Sequence, residues 1–271
     1  MRHELMVGEG EDARRIAVEE RDGAGPPVVW FGGYRSDMTG TKADALDAWA
    51  AEAGRRFVRF DYSGHGVSGG RFEDGTISRW LEESLAVLER FAAERPVVVG
   101  SSMGGWLALL ATRALRATGQ DRAPGALVLV APAADFTEAL MWPAFPPEAK
   151  AALAETGVWL RPSLYSDEPY PITRALIEDG RRHLLLEGTI ETGCPVHILQ
   201  GMKDPDVPWE HAMRLVEHLP ADSVQITLIK DGDHRLSRPE DIERLVAAVA
   251  AAGKPPLSEP PPASPQLRLT V

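Results

Sequence analysis

The stretch Val97-Val98-Val99-Gly100-Ser101-Ser102-Met103-Gly104-Gly105-Trp106 constrains the fold more than any other part of the chain. The run of valines reads as a strand buried on both faces. The residues from Trp106 to Ala114 read as an apolar helix. The intervening Gly100-x-Ser102-x-Gly104 leaves room only for a sharp strand-to-helix turn. Positions flanking such a turn must be small, which explains Gly100 and Gly104, and Gly105 lets the helix pack close to the strand. The turn lifts the Ser102 hydroxyl above the sheet, and the helix amino terminus beneath it favours negative charge. Ser102 is therefore the candidate nucleophile. Ser101 is off centre in the motif and is expected only to support it.

The same alternation runs through the chain. Short apolar runs at Val28–Phe31, Phe57–Phe60, Ala126–Val130, Val196–Leu199 and Val224–Ile229 are candidate strands. Amphipathic stretches at Thr41–Ala53, Ile77–Ala93, Trp209–Leu219 and Pro239–Ala252 are candidate helices, the first with Thr41 and Asp44 spaced as a capping box. Strands alternating with helices imply an α/β fold: a mostly parallel central sheet with helices on both faces. A length of 271 residues with 44% apolar content suits one such domain. After Ala131, about sixty residues pass before the next sheet strand, far more than an ordinary connection. That stretch is rich in proline and holds Trp142, Phe145, Trp159, Tyr165 and Tyr170. It is expected to form a helical cap, residues 133–192, over the carboxyl edge where parallel sheets bind ligands. The expected organisation is a single domain over 1–253 and a proline-rich tail over 254–271. The end of that tail, Leu267–Val271, alternates like an edge strand.

A serine hydroxyl needs a base, and the base needs a third group to orient it. Among 7 histidines, His234 alone follows the last strand, on a loop able to reach back to Ser102. His211 and His218 read as surface positions on a helix, and His65 lies in a glycine-rich loop. The acid belongs after Val196–Leu199. Asp204 is the candidate there, because Asp204-x-x-Val207 turns the chain back toward the core. Asp206 is the reserve and Asp135 a third option. The chain order serine, aspartate, histidine, each at the carboxyl end of its own strand, is more specific than any one residue. A tetrahedral intermediate also needs amide donors at its oxygen. Met103, next after the nucleophile, is one candidate. The loop Phe31-Gly32-Gly33-Tyr34-Arg35-Ser36-Asp37-Met38 is expected to give the other from Tyr34, within one residue either way. Trp106 and Trp209 read as packing residues rather than site lining.

Composition narrows the partners. Asp plus Glu number 40 against 29 Lys plus Arg, a formal net charge of −11. Such a surface repels phosphate backbones, which excludes nucleic acid, and it has no attraction for anionic membranes. No apolar run has the length of a membrane span. The histidines show no metal-binding spacing and no G-x-G-x-x-G follows a strand, so neither metal nor other cofactor is expected. Residues 1–20 lack an apolar signal run and are rich in acid, so neither a secretory signal nor a mitochondrial leader is expected. The 1 cysteine, Cys194, precludes an intrachain disulfide and reads as a buried apolar position. The expected location is cytoplasmic. Oligomeric state is not specified by these features.

Several strings resemble one known family. Phe31–Ala43, Arg59-Phe60-Asp61-Tyr62-Ser63-Gly64-His65-Gly66 and Gly100–Leu107 are similar to stretches of the α/β-hydrolase domain-containing protein 10 family. So are Cys194-Pro195, Gly201-Met202-Lys203-Asp204, Val207-Pro208-Trp209 and Asp233-His234-Arg235. The resemblance implies an α/β-hydrolase fold, with the triad on Ser102, Asp204 and His234 by position. It also implies serine hydrolysis of acyl thioesters or acyl esters, since members are described as S-depalmitoylating thioesterases and acyl-glucuronide esterases. The partner expected is a small acyl ester or thioester, or an acylated protein. The mitochondrial address of animal members is not carried over. Two other readings use the same residues or fold: C–C bond hydrolysis or perhydrolysis on the same triad, and a catalytically silent ligand-binding protein.

Overall fold

The computed structural model describes residues 1–92, 95–119, 122–162, 169–219 and 223–253. The expected tail and its terminal strand lie outside the described residues. The elements that carry the site are strands β1 (Arg2–Val7), β2 (Arg14–Arg21), β3 (Ala24–Phe31), β4 (Arg55–Phe60), β5 (Val97–Ser101) and β6 (Ala126–Val130), and helices α1 (Thr41–Glu52), α2 (Ile77–Phe91) and α3 (Met103–Ala117). Next come α4 (Trp142–Ala144), α5 (Pro147–Glu155), β7 (Val158–Arg161), β8 (Tyr170–Thr173) and α6 (Arg174–Gly180). The chain continues through β9 (Val196–Gly201), α7 (Trp209–Glu217), β10 (Val224–Ile229) and α8 (Pro239–Ala252).

The main sheet has 8 strands in the order β1-β2-β4-β3-β5-β6-β9-β10. From β4 to β10 all neighbours are parallel, and β2 pairs antiparallel with both β1 and β4. Alternate residues of each central strand face opposite cores. Val29, Phe31, Val98, Leu127, Leu129 and Ile198 pack with Val87, Trp106, Leu107 and Leu215, from α2, α3 and α7. Val28, Trp30, Val97, Val99, Val128 and Leu199 pack with Leu46, Ala50, Leu245 and Val249, from α1 and α8. Burial on both faces explains why these strands read as continuous apolar runs. The open carboxyl edge of β3, β5, β9 and β10 then gathers their loops on one side of the molecule.

Three local expectations are corrected. Gly40, not Thr41, occupies the cap position of α1, without a side-chain cap. Asp44 instead pairs with Arg59 at 2.6 Å. Second, β1 and β2 precede the first expected strand. Third, the 131–195 excursion is mixed rather than helical: β7 and β8 form an antiparallel pair. It has its own small core of Phe145, Ala149, Leu153, Ile172 and Ile177.

Candidate active site

Ser102 follows β5 and caps α3 at φ 53° and ψ −116°, a strained left-handed turn for a residue with a side chain. Its amide donates to Val130 O at 2.9 Å, and its carbonyl accepts from the amides of Gly105 at 2.9 Å and Ala133 at 3.1 Å. The turn is thus fixed from three directions, and Ser102 alone among its neighbours Ser101 and Met103 escapes burial. A Cβ on Gly100 would lie 2.5 Å from Gly104 O, and one on Gly105 would lie 2.9 Å from the Pro132 Cβ. Small residues are therefore a steric requirement here.

Asp204 and His234 meet. Nδ1 of His234 lies 2.8 Å from Asp204 Oδ2. The Asp204 side chain is fully buried while the imidazole keeps 20% of its exposure. The other carboxylate oxygen accepts from the amides of Asp206 and Val207, each at 2.8 Å. Gln200 Nε2 adds a bond to Oδ2 at 3.3 Å. A carboxylate bonded on both oxygens is held in one orientation, and it selects the Nδ1–H tautomer of the ring, leaving Nε2 without a proton. The Asp204-x-x-Val207 spacing has a physical meaning: Val207 is buried and its amide closes the turn on the acid.

The two loops are fastened together. Lys203 N–H donates to Gly232 O and Met202 N–H to Ile229 O, both at 2.9 Å. Gly201 abuts Gly232, whose carbonyl oxygen would lie 2.5 Å from a Cβ there. Behind them Lys42 Nζ donates to Arg235 O at 2.6 Å. Burial, with Arg235 nearby, pushes the Lys42 ammonium down to about 8.

Gly33 brings the early loop to Ser102. A Cβ built on Gly33 would lie 3.5 Å from the Ser102 Cβ. Neither the Tyr34 nor the Met103 amide donates to a backbone acceptor among the described residues. Ser36 Oγ accepts from Gly33 N–H and donates to Gly33 O, both at 2.9 Å. Asp61, buried, accepts from Met38 N–H at 2.7 Å and Val67 N–H at 2.8 Å. The Tyr34 ring packs against Phe72, Trp80 and Phe136, and against Tyr170 of β8. Its hydroxyl donates to Pro171 O at 3.4 Å, and burial raises its ionisation above the ordinary tyrosine range. The inserted segment is therefore seated on the Gly33–Met38 loop.

The other candidates lie apart or play other parts. Asp135 accepts from Leu185 N–H at 2.9 Å and Leu186 N–H at 2.8 Å, which ties the end of the inserted segment to the sheet. Asp206 sits beside the pair: Asp204, Asp206 and His234 each offer a ligand atom within 4.8 Å of the others, the spacing of a metal site. There the Asp204 oxygens are already engaged by Val207, Asp206, Gln200 and His234. Trp106 is buried and donates from Nε1 to His183 O at 3.3 Å. Trp209, half-buried, opens α7. Cys194 is buried. His211 is not a surface residue: it is buried and pairs with Ala134 O at 2.8 Å. Sequence reasoning passed over Asp61 and His65. Their signal was Asp61-x-x-Gly64-His65-Gly66 after β4, the strand beside β3, which placed the loop next to Gly33–Met38.

A parallel sheet with a serine elbow and an acid–imidazole pair at its carboxyl edge defines an α/β hydrolase. The sequence profile of the alpha/beta hydrolase family matches residues 23–248. Human mitochondrial palmitoyl-protein thioesterase ABHD10 is 36% identical over 239 residues, 88% of this chain and 76% of that protein. The structure of mouse α/β hydrolase domain-containing protein 10 superposes with a TM-score of 0.80 at 32% identity, covering 92% of this chain and 97% of that one. A protein of Agrobacterium vitis S4, known from its crystal structure, superposes with a TM-score of 0.91 at 55% identity, covering 94% and 99%. The chain belongs to the ABHD10 family of α/β hydrolases and is an ester or thioester hydrolase. No helix among the described residues is long and apolar enough to cross a membrane.

Proposed function

We propose that Ser102, His234 and Asp204 are the nucleophile, base and orienting acid of a serine hydrolase working through an acyl-enzyme. The observation that carries this reading is the 2.8 Å His234–Asp204 bond, on loops joined to the same sheet edge as the Ser102 elbow. Ser102 Oγ attacks the acyl carbonyl as His234 takes its proton. The tetrahedral oxyanion is held by the amides of Met103 and Tyr34. His234 then returns the proton to the leaving thiolate or alkoxide, and the acyl group stays on Ser102. Water, deprotonated by the same imidazole, attacks the ester and releases the acid. Asp204 stabilises the imidazolium throughout and keeps its own charge.

Residues 133–192 act as the cap that receives the acyl chain. Its own apolar core and its seat on Tyr34 support this assignment. The substrate class is a fatty acyl thioester or ester, with an acylated protein thiol as one form, in line with the thioesterases this chain resembles. We place the reaction in the cytoplasm, which the single cysteine suits. Ser102→Ala should abolish both p-nitrophenyl ester hydrolysis and fluorophosphonate labelling. Normal turnover or labelling by that variant would sink the assignment. Rates along a ladder of acyl lengths, on oxygen and sulfur leaving groups, then fix chain length and ester against thioester preference.

A further inference from the structure

The reaction scheme leaves one buried histidine unused. His65 lies in the loop after β4, is 5% exposed, and touches the rings of Tyr62, Phe72 and Trp80. Its Nδ1 sits 3.1 Å from Ser63 O. Its Nε2 accepts the amide of Arg35 at 3.1 Å. An amide can only donate and a carbonyl can only accept, so both partners demand one tautomer: Nδ1–H with a bare Nε2. Burial pushes this imidazole down to about 4, which keeps it neutral in that form near pH 7.

Arg35 N–H belongs to the Tyr34–Arg35 peptide. The peptide on the other side, Gly33–Tyr34, is held through its carbonyl by the Ser36 hydroxyl at 2.9 Å. The Tyr34 Cα thus joins two peptide planes, each fixed by a side chain, and the Tyr34 amide lies in the first of them. Arg35 has φ 59°, a strained conformation for a residue with a side chain, which persists only where surroundings hold it. Those surroundings are built inward. Ser63 N–H and Oγ–H both donate to the buried Glu83, at 2.9 and 2.6 Å. Glu83 in turn takes an ion pair from Arg14 of β2.

We propose that His65 is a positioning residue for the hydrolysis, fixing the Tyr34–Arg35 peptide so that the Tyr34 amide points at the developing oxyanion. It touches neither substrate nor nucleophile. The inference rests on the oxyanion reading of Tyr34 given above. Interactions made only with the transition state move kcat and leave KM unchanged.

The test uses the full chain with His65→Asn and His65→Gln. Asn keeps a donor at the Nδ1 place and lacks the acceptor at Nε2, whereas Gln carries an acceptor to that place. For p-nitrophenyl butyrate, His65→Asn should lower kcat about 10- to 100-fold with KM within about twofold. Its inhibition constant for an alkyl trifluoromethyl ketone, which forms an oxyanion on Ser102, should rise by the same factor. His65→Gln should recover most of both losses. A folded His65→Asn with wild-type kcat, or one whose kcat falls while ketone affinity holds, would overturn the proposal. Long-range 15N–1H spectra of the wild type need no variant: the Nε2–H tautomer, or an imidazolium at pH 7, overturns it as well. Failure of the ketone to inhibit the wild type would instead defeat the oxyanion reading itself.

Discussion

Gly104, in the first turn of α3, presses its Cα on the carbonyl of Phe31 at the end of β3: a Cβ there would come within 2.1 Å of that oxygen. The nucleophile's helix and the strand that launches the Gly33–Met38 loop therefore meet backbone to backbone. Gly104→Ala cannot be relieved by a side-chain rotation. It should destabilise the fold by about 3 kcal/mol or more, at or beyond the usual overpacking range. Urea midpoints of variant and wild type give the difference, and an unchanged midpoint would refute the close approach.

Asp204→Asn should keep the amide bonds from Asp206 and Val207 but present the wrong partner to Nδ1 of His234. A loss of kcat on the order of 10⁴-fold is expected, with KM nearly constant. Asp206→Ala should stay within about tenfold of wild type, since the bond that Asp206 gives the acid comes from its backbone amide, which alanine keeps. Steady-state kinetics of the two variants, side by side, separate the acid from its neighbour.

Acid should weaken the fold through His65. Its folded value, about 4, lies below the ordinary 6.5, so the unfolded chain binds more protons between the two. Stability from this group is present above pH 6.5, drains away as pH falls toward 4, and changes no further below that. The size is about 3 kcal/mol. Arg35 is the charged group acting on the ring, while Tyr62, Phe72 and Trp80 desolvate it. Denaturant titrations from pH 7 to 4 should show His65→Gln losing less stability than wild type by about that amount.

Arg14→Met should cost about 3–5 kcal/mol, because it strands the fully buried Glu83 carboxylate without its cation. Arg14→Met combined with Glu83→Gln should regain part of that loss. Equal unfolding midpoints for the single and double variants would show that the pair is not coupled.

Iodoacetamide should leave the native enzyme active, since Cys194 is 5% exposed. A fluorophosphonate should inactivate it. Loss of activity to the thiol reagent alone would move the nucleophile away from Ser102.

The central strands β3, β5 and β6 could be read from sequence because the valine-rich part of each is buried on two faces, so its apolar run is unbroken. β2 could not be read so easily. Its apolar run, Ile16 to Val18, is only three residues long and is flanked by charges, and Glu19, Glu20 and Arg21 find partners far along the chain, among them Arg59 at 2.7 Å, Arg56 at 2.6 Å and Asp47 at 2.7 Å. The β7–β8 pair escaped because each strand is 4 residues long in a proline-rich stretch. The candidates Ser102, Asp204 and His234 could be picked out by their positions at strand ends, and the structure brings Asp204 and His234 together. His65 could not be picked out, because its meaning lies in two backbone atoms, Ser63 O and Arg35 N, that only the folded loop brings to one ring. His211 misled for a similar reason: the helix pattern showed a polar residue, and the Ala134 carbonyl that satisfies it comes from elsewhere.

Tyr34 joins two properties that engineers usually adjust separately. Its ring and hydroxyl carry the weight of Tyr170 and Pro171 from the inserted segment, and its amide is the one assigned to the oxyanion. Under the proposed reading of the inserted segment as the acyl site, reshaping it at those two positions also disturbs the seat of the proposed oxyanion donor. On that reading, selectivity and speed are linked at Tyr34 and cannot be changed independently there.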